Sequence, residues 1–375
     1  MKRKISEISQ PRDNESIDQL NKKIKANPQI WSTLSLQSEL EDKLINLNDA
    51  FLRDLDLTFN SFNYVSQCNM KIMQGNLKGA IAEATEAIRL NPNSSLAFST
   101  RGWAKLKLGL WDGALADSSE AIRLNPSDGS ALCTRGLVKV KQGLFDDALV
   151  DLTQSIRYNP NNSVALGTRG LLKFKLDLLD SALADLDASL RLNPNDNIAL
   201  STRGQVKFRL GLLDSALEDL TEAIRLNSNN STAYCIRGKI KLRQGILDGA
   251  VDDLTVAIRL NPNDSTAYCT RGRVKFRLGI LGSAVDDLNE AIRLNPDDGM
   301  AFYSRGSIKR QLGDYQGGAA DLAKGEASYL QFMEKKQSNL YNTALPGNQM
   351  FFRKEKNIVA IDHYHAIKAP GFSGG

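Results

Sequence analysis

One short run, Ile-Arg-Leu-Asn-Pro with close variants, returns every 34 residues along this chain. It places prolines at Pro92, Pro126, Pro160, Pro194, Pro262 and Pro296, with Ser228 at the one missing step. An Arg-Gly pair keeps the same interval, at Arg101, Arg135, Arg169, Arg203, Arg237, Arg271 and Arg305. A fixed period of this length means small units that cannot bury their apolar faces alone and must stack on one another. Stacking gives a solenoid with one long surface, and such a surface points to binding rather than catalysis.

Residues 95–128 serve as the type unit, with Ser95 as position 1. Leu96 to Leu108 and Trp111 to Leu124 both carry helical periodicity. Gly109 lies between them, where a left-handed helix end is needed. Asn125-Pro126 ends the second helix, because proline cannot continue it. Each unit is therefore a hairpin of helix A and helix B. Gly102, Ala114 and Ala121 are the small residues that let the two helices approach. Asp177 stands where the neighbouring copies have the turn glycine, which predicts a left-handed aspartate under slight strain.

These residues carry a resemblance. The small residue at position 8, Gly at 15, Ala at 20, Ala at 27 and Pro at 32 resemble the tetratricopeptide repeat family over about three quarters of the chain. The resemblance implies an all-α, right-handed superhelical solenoid of helix-turn-helix hairpins, with a concave groove lined by A helices. Eight units are expected over 61–332, starting at 61, 95, 129, 163, 197, 231, 265 and 299. The first is degenerate, with Cys68 at position 8, and the last loses the Ile-Arg-Leu-Asn-Pro ending, as terminal copies facing water should.

Arg at position 7 and Asp at position 23 occur together in seven copies, and Gln67 and Glu83 replace them in the first. They read as an ion pair tying helix A to helix B or to the neighbouring hairpin. Lys at position 11 and Lys or Arg at position 13 read as last-turn cations complementing the helix dipole. Positions 2, 5, 6, 9, 12 and 13 share one side of helix A, and in the family that side lines the groove. The candidate partner-binding residues follow. Position 13 gives a basic ladder, Lys107, Lys141, Lys175, Arg209, Arg243 and Arg277. Position 12 gives an apolar ladder that includes Phe174, Phe208 and Phe276, with packing between A helices as an equal reading. Position 9 drifts from Trp103, Leu137 and Leu171 to Gln205, Lys239 and Arg273. A protein or peptide with acidic and apolar residues would complement this face.

Some relatives hold the C-terminal carboxylate of cytosolic chaperones through Lys and Asn at set positions. Here those positions carry mostly Ser, Cys, Thr or apolar residues, and Asn69 alone fits, so that clamp is not supported.

Outside the repeats, 1–34 is polar and aperiodic and reads as disordered. Leu40, Leu44, Leu47, Phe51 and Leu55 recur at helical spacing and predict a capping helix over 35–60, with an oligomerising helix as the rival. Leu322, Tyr329, Leu330 and Met333 predict a closing helix to about 340, and 333–375 ends in an irregular tail that could return to the groove. Two histidines, His363 and His365, are too few for a metal site. No nucleophile-base set or phosphate loop stands out, so neither an enzyme nor a cofactor is expected. No apolar run is long enough to span a membrane. Cys133, Cys235 and Cys269 fall in one repeat column too widely spaced for disulfides, which favours the cytosol. The basic start Met1-Lys2-Arg3-Lys4 keeps the nucleus as an alternative. The expected function is a protein-interaction scaffold. The alternative is binding of nucleic acid or another anionic surface by the basic ladder, against which the net charge of only +5 argues.

Overall fold

The structure, a computed structural model, describes residues 56–342. The chain is a tandem array of antiparallel helical hairpins. The first pairs α1 (described from 56 to 73) with α2 (Leu77–Leu90). Then come α3 (Ser95–Leu108) with α4 (Trp111–Leu124), α5 (Gly129–Lys141) with α6 (Phe145–Tyr158), and α7 (Ser163–Lys175) with α8 (Leu179–Leu192). They are followed by α9 (Asn197–Arg209) with α10 (Leu213–Leu226), and α11 (Ser231–Gln244) with α12 (Leu247–Leu260). The last are α13 (Ser265–Arg277) with α14 (Leu281–Leu294), and α15 (Gly299–Gln311) with α16 (Tyr315–Asn342). No strand occurs among the described residues. The chain falls into two compact units, the first ending at Ile236 and the second beginning at Arg237, within α11.

In the first unit, α3, α5, α7 and α9 lie side by side, and α4, α6 and α8 each touch the A helix on either side. In the second, α13 lies beside α15, and α14 packs between them. Within each unit the A helices therefore form one layer and the B helices back it. The 34-residue period maps onto this directly. Asn at position 31 takes an extended conformation and stops helix B, as Asn125 does after α4. Its amide oxygen accepts from the backbone two residues on, Ser127 N–H at 3.2 Å. Position 34 then caps the next A helix: Asp128 Oδ1 accepts from the backbone N–H of Ser130 and Ala131 at 3.0 and 2.9 Å. Between the helices of each hairpin, the glycine at position 15 is left-handed, with Gly109 at φ +82°. Asp177 is left-handed too, at φ +61°, as its place in the repeat predicts, and its carboxylate accepts from Arg209 at 2.7 Å.

Helix A crosses helix B at position 8. A Cβ added to Gly204 would lie 2.8 Å from Leu220 Cγ, and Leu220 is fully buried. The alanines at positions 20 and 27, such as Ala216 and Ala223, are fully buried at the same crossing. Close approach at these points removes water from the larger side chains around them.

The ion pair between helices forms in all seven expected copies. In the repeat that starts at 197, Arg203 Nε and Nη2 donate to the two carboxylate oxygens of Asp219 at 2.8 and 2.7 Å. The lysine at position 11 joins it, a role beyond the dipole complement that its place in the last turn predicts: Lys207 Nζ lies 2.8 Å from Asp219 Oδ2. The third arm of the guanidinium reaches the preceding hairpin, where Arg203 Nη1 donates to Asp187 at 2.8 Å. Arg101, Arg169 and Arg271 reach threonines there, and Arg305 reaches Asn289. The two alternatives for this pair thus both occur in one side chain. In the first hairpin, Lys71 and Glu83 keep the lysine arm alone.

Burial drives the seam carboxylate of Asp151 toward a higher pKa. The hydrogen bonds and charges of Arg135 and Lys139 overcome it and hold the group below the usual carboxylate range. Asp185 and Asp321 behave alike, against their own Arg and Lys partners.

Helix α1 runs without a break through residues 60 and 61, where the sequence reading joins a capping helix to the first repeat. The rest of that expected helix, the polar 1–34 segment and the tail from 343 lie outside the described residues. Helix α16 continues far past the length of the other B helices, to Asn342, as the apolar spacing at the end of the repeats predicts.

Candidate partner-binding face

Position 13, the expected basic ladder, sits in the last turn of each A helix and is exposed in all six copies. Its cations are occupied locally. Lys107 Nζ stands 4.7 Å from the Trp103 ring centre, and Lys141 and Lys175 stand 5.9 and 5.1 Å from the rings of Trp111 and Phe145 in the preceding hairpin. Arg209 pairs with Asp177, and Arg277 donates to the backbone oxygen of Leu242. Lys141, Lys175, Arg209 and Arg277 thus lean toward the hairpin before them, and Lys107 toward its own helix.

Position 12 packs between helices. Leu106 is buried in a cluster with Ala114 and Val138, Val140 packs against the Leu152 and Leu172 cluster, and Phe276 against Leu288 and Ile308. Phe174 and Phe208 are half-buried in the same register. The position serves the contact between successive hairpins first, which is the packing alternative for this ladder.

Position 9 divides by unit. In the first unit, Trp103 and Leu137 pack against the Leu106 cluster, Leu171 is half-buried, and Gln205 donates to the Ser201 backbone oxygen at 3.2 Å. In the second unit, Lys239 and Arg273 line an open cleft of about 500 Å³. The cleft follows the A-helix face: Thr266 at position 2, Cys269 at 5 and Thr270 at 6 on α13, and Met300 and Tyr303 at positions 2 and 5 on α15. Asp297 and Asp298 border it from the preceding loop, and Glu326 and Tyr329 from α16. Positions 2, 5, 6 and 9 therefore come together in this unit. The contribution of α16 is absent from the sequence reading. Its signal is the lost ending of the last copy, which lets the final helix run on beside the last A helix. Glycine permits this closeness: a Cβ on Gly325 would fall 2.8 Å from the Gly299 backbone oxygen.

The electrostatics of the cleft are uneven. Lys239 and Arg273 are half-buried and have no ion pair or hydrogen-bond partner among the described residues. Partial burial, and then the charge of Arg273, lower the pKa of nearby Arg243. Asp298 is occupied in capping α15, where it accepts from the Met300 and Ala301 backbone at 3.0 and 3.1 Å. The Cys269 thiol is pushed up to about 12, by burial first and by the Asp298 charge second. Cys133, buried at the same repeat position in the first unit, also rises to about 12. Thiols held this high are poor nucleophiles, and the four cysteines are buried and form no disulfide. Among the described residues no set of three potential metal ligands comes together, and no helix is long and apolar enough to cross a membrane.

No curated protein matches the chain by sequence. Among solved structures, it is similar to a chain of the APC/C hetero-tetramer Cut9–Hcn1, at 17% identity over 67% of this chain and 54% of that one, with a TM-score of 0.52. The match thus spans about half the length of that chain. A tetratricopeptide repeat protein from Parabacteroides merdae matches at 22% identity over 62% of this chain and 93% of its own, with a TM-score of 0.45. YrrB, described as a repeat protein of this kind with an unusual peptide-binding site, matches at 23% identity over 49% and 95%, with a TM-score of 0.41. At such identities the first likeness speaks for the fold. The family model of the tetratricopeptide repeat matches 133–199, 201–265 and 269–329, more than half of the sequence, and the chain belongs to the tetratricopeptide repeat family.

Proposed function

We propose that the chain is a protein-interaction scaffold that binds a peptide segment or partner protein on the face formed by its A helices. The observation that carries this reading is the cleft of the second unit, where positions 2, 5, 6 and 9 converge with half-buried cationic and aromatic groups. Clefts with a few convergent polar groups on a partly apolar wall are where ligands bind. The rest of the repeat, its seams and caps, is occupied in holding hairpins together. The alternative reading, a track for nucleic acid along position 13, gains no support from cations already seated on rings, a carboxylate and a carbonyl. Buried thiols fit a reducing compartment, and we place the protein in the cytosol or nucleus.

Site-specific photo-crosslinking tests the scaffold reading. Benzoylphenylalanine at Tyr303, in the cleft, should capture cellular proteins that the same group at Arg259, on the exposed side of α12, does not. Equal capture from both positions, or capture from Arg259 alone, would move the function off the A-helix face.

A further inference from the structure

In the second unit the cations at the seam between helices A and B are neutralised by carboxylates, whereas two half-buried cations of the cleft are not. In the second unit, Arg237, Arg271 and Arg305 at position 7 and Lys241, Lys275 and Lys309 at position 11 each face the carboxylate of helix B. Arg293 on α14 pairs with Glu290. Lys239 and Arg273 share the register of position 9 and line one cleft, and neither forms an ion pair or hydrogen bond among the described residues, although Asp297, Asp298 and Glu326 line the same cleft. Half-buried like charges side by side cost free energy unless an anion answers them. The same register holds Trp103, Leu137, Leu171 and Gln205 earlier in the chain, so the repeat does not need a cation there.

Resting on the scaffold reading, we propose that this cleft receives a carboxylate of the bound segment between Lys239 and Arg273, with an apolar or aromatic residue of that segment against Met300 and Tyr303. A carboxylate accepts from both a guanidinium and an ammonium group, and such charge-assisted bonds are the stronger kind. Glu326 borders the cleft on α16, together with Asp297 from the loop, so the lining carries both signs and fixes which way the segment runs. The arrangement differs from the chaperone-type clamp, since Cys235 and Thr270 stand where that clamp needs Lys and Asn.

The test selects 12-residue peptides displayed on phage against the full chain, from one library with free C-termini and one with blocked C-termini. Selection should enrich Asp or Glu next to an apolar residue. Enrichment from both libraries assigns a side-chain carboxylate, and enrichment from the free-ended library alone assigns a chain terminus. The Lys239→Gln/Arg273→Gln variant borrows the residue the chain already carries at Gln205. It should bind the best synthetic peptide at least about tenfold more weakly, the scale of lost charged hydrogen bonds. Enriched peptides without an acid, unchanged affinity in the variant, or no enrichment from either library overturns the proposal. If Tyr303 crosslinks persist in that case, the scaffold reading stands and only the carboxylate site falls.

Discussion

The seam between helices A and B and the cleft at position 9 treat the same kind of side chain in opposite ways. At the seam, Arg203 and Lys207 share one buried carboxylate, Asp219, and the guanidinium also reaches Asp187 of the hairpin before. At position 9, Lys239 and Arg273 line a cleft and form no ion pair among the described residues, although acidic side chains line the cleft with them. The seam repeats almost without change, while position 9 varies from copy to copy. Charge satisfied inside the molecule is architecture, and charge left unsatisfied on a cleft is available to a partner.

Acid should break the seam side of this contrast most severely, because it attacks three copies at once. The native carboxylates of Asp151, Asp185 and Asp321 lie below their ordinary range. Their contribution is therefore complete above the unfolded Asp value of about 3.9 and is lost as pH falls through the depressed native values. The thermal midpoint should stay level from neutral pH to about 5 and drop below about 4. A drop confined to the range between 7 and 5 would mean that other groups govern stability.

Removing one carboxylate comes next. Asp219→Ala strands Arg203 and Lys207 at a half-buried site and should cost about 3–5 kcal/mol in denaturant unfolding. A double-mutant cycle with Arg203→Ala should show strong coupling, and additive losses would deny the seam its role. Gly204→Ala tests packing at the same crossing. The new methyl would meet Leu220 Cγ at 2.8 Å, and a cost of about 1–3 kcal/mol is expected. Asp177→Gly relieves the left-handed aspartate but loses its exposed pair with Arg209, for a net gain of at most about 1 kcal/mol. The smallest effect sharpens the comparison. Lys239→Gln/Arg273→Gln should shift stability by less than about 0.5 kcal/mol, as surface changes outside a structural network do. A larger loss would make those cations structural after all.

Much of this was legible because it is local. Period, turn glycine, helix-ending Asn-Pro and the 7–23 ion pair all concern residues within one 34-residue unit, and all appear in the fold. The helix caps at position 34, such as Asp128, were equally local but easy to overlook, since their small acidic or Asn residues follow a proline that already marks the helix end. The lysine arm of the seam was hidden because a last-turn lysine has a sufficient reason to be there without a partner. The candidate site was only partly legible. Positions 2, 5, 6 and 9 came together in the second unit, but position 13 turned back toward the preceding hairpin and position 12 went into packing. Helical phase shows which side a residue takes, but not how far along that side a neighbouring hairpin covers it. Nor could phase reveal that α16 would supply Glu326 and Tyr329, because the repeat pattern ends before them.

The seam closes between residues 16 apart in the chain, and the stitch to the previous hairpin spans another 16. Each hairpin therefore meets all its ionic partners once its own 34 residues exist, without waiting for distant chain. At a synthesis rate of about 5–20 residues per second, a new unit leaves the ribosome every few seconds, whereas helices form in about a microsecond. The molecule can thus be assembled in the order it is translated, each hairpin settling on a finished predecessor. The cleft is the exception, since its α16 wall is made after every other part of it. A partner that needs that wall can recognise only a chain whose repeats have all been translated.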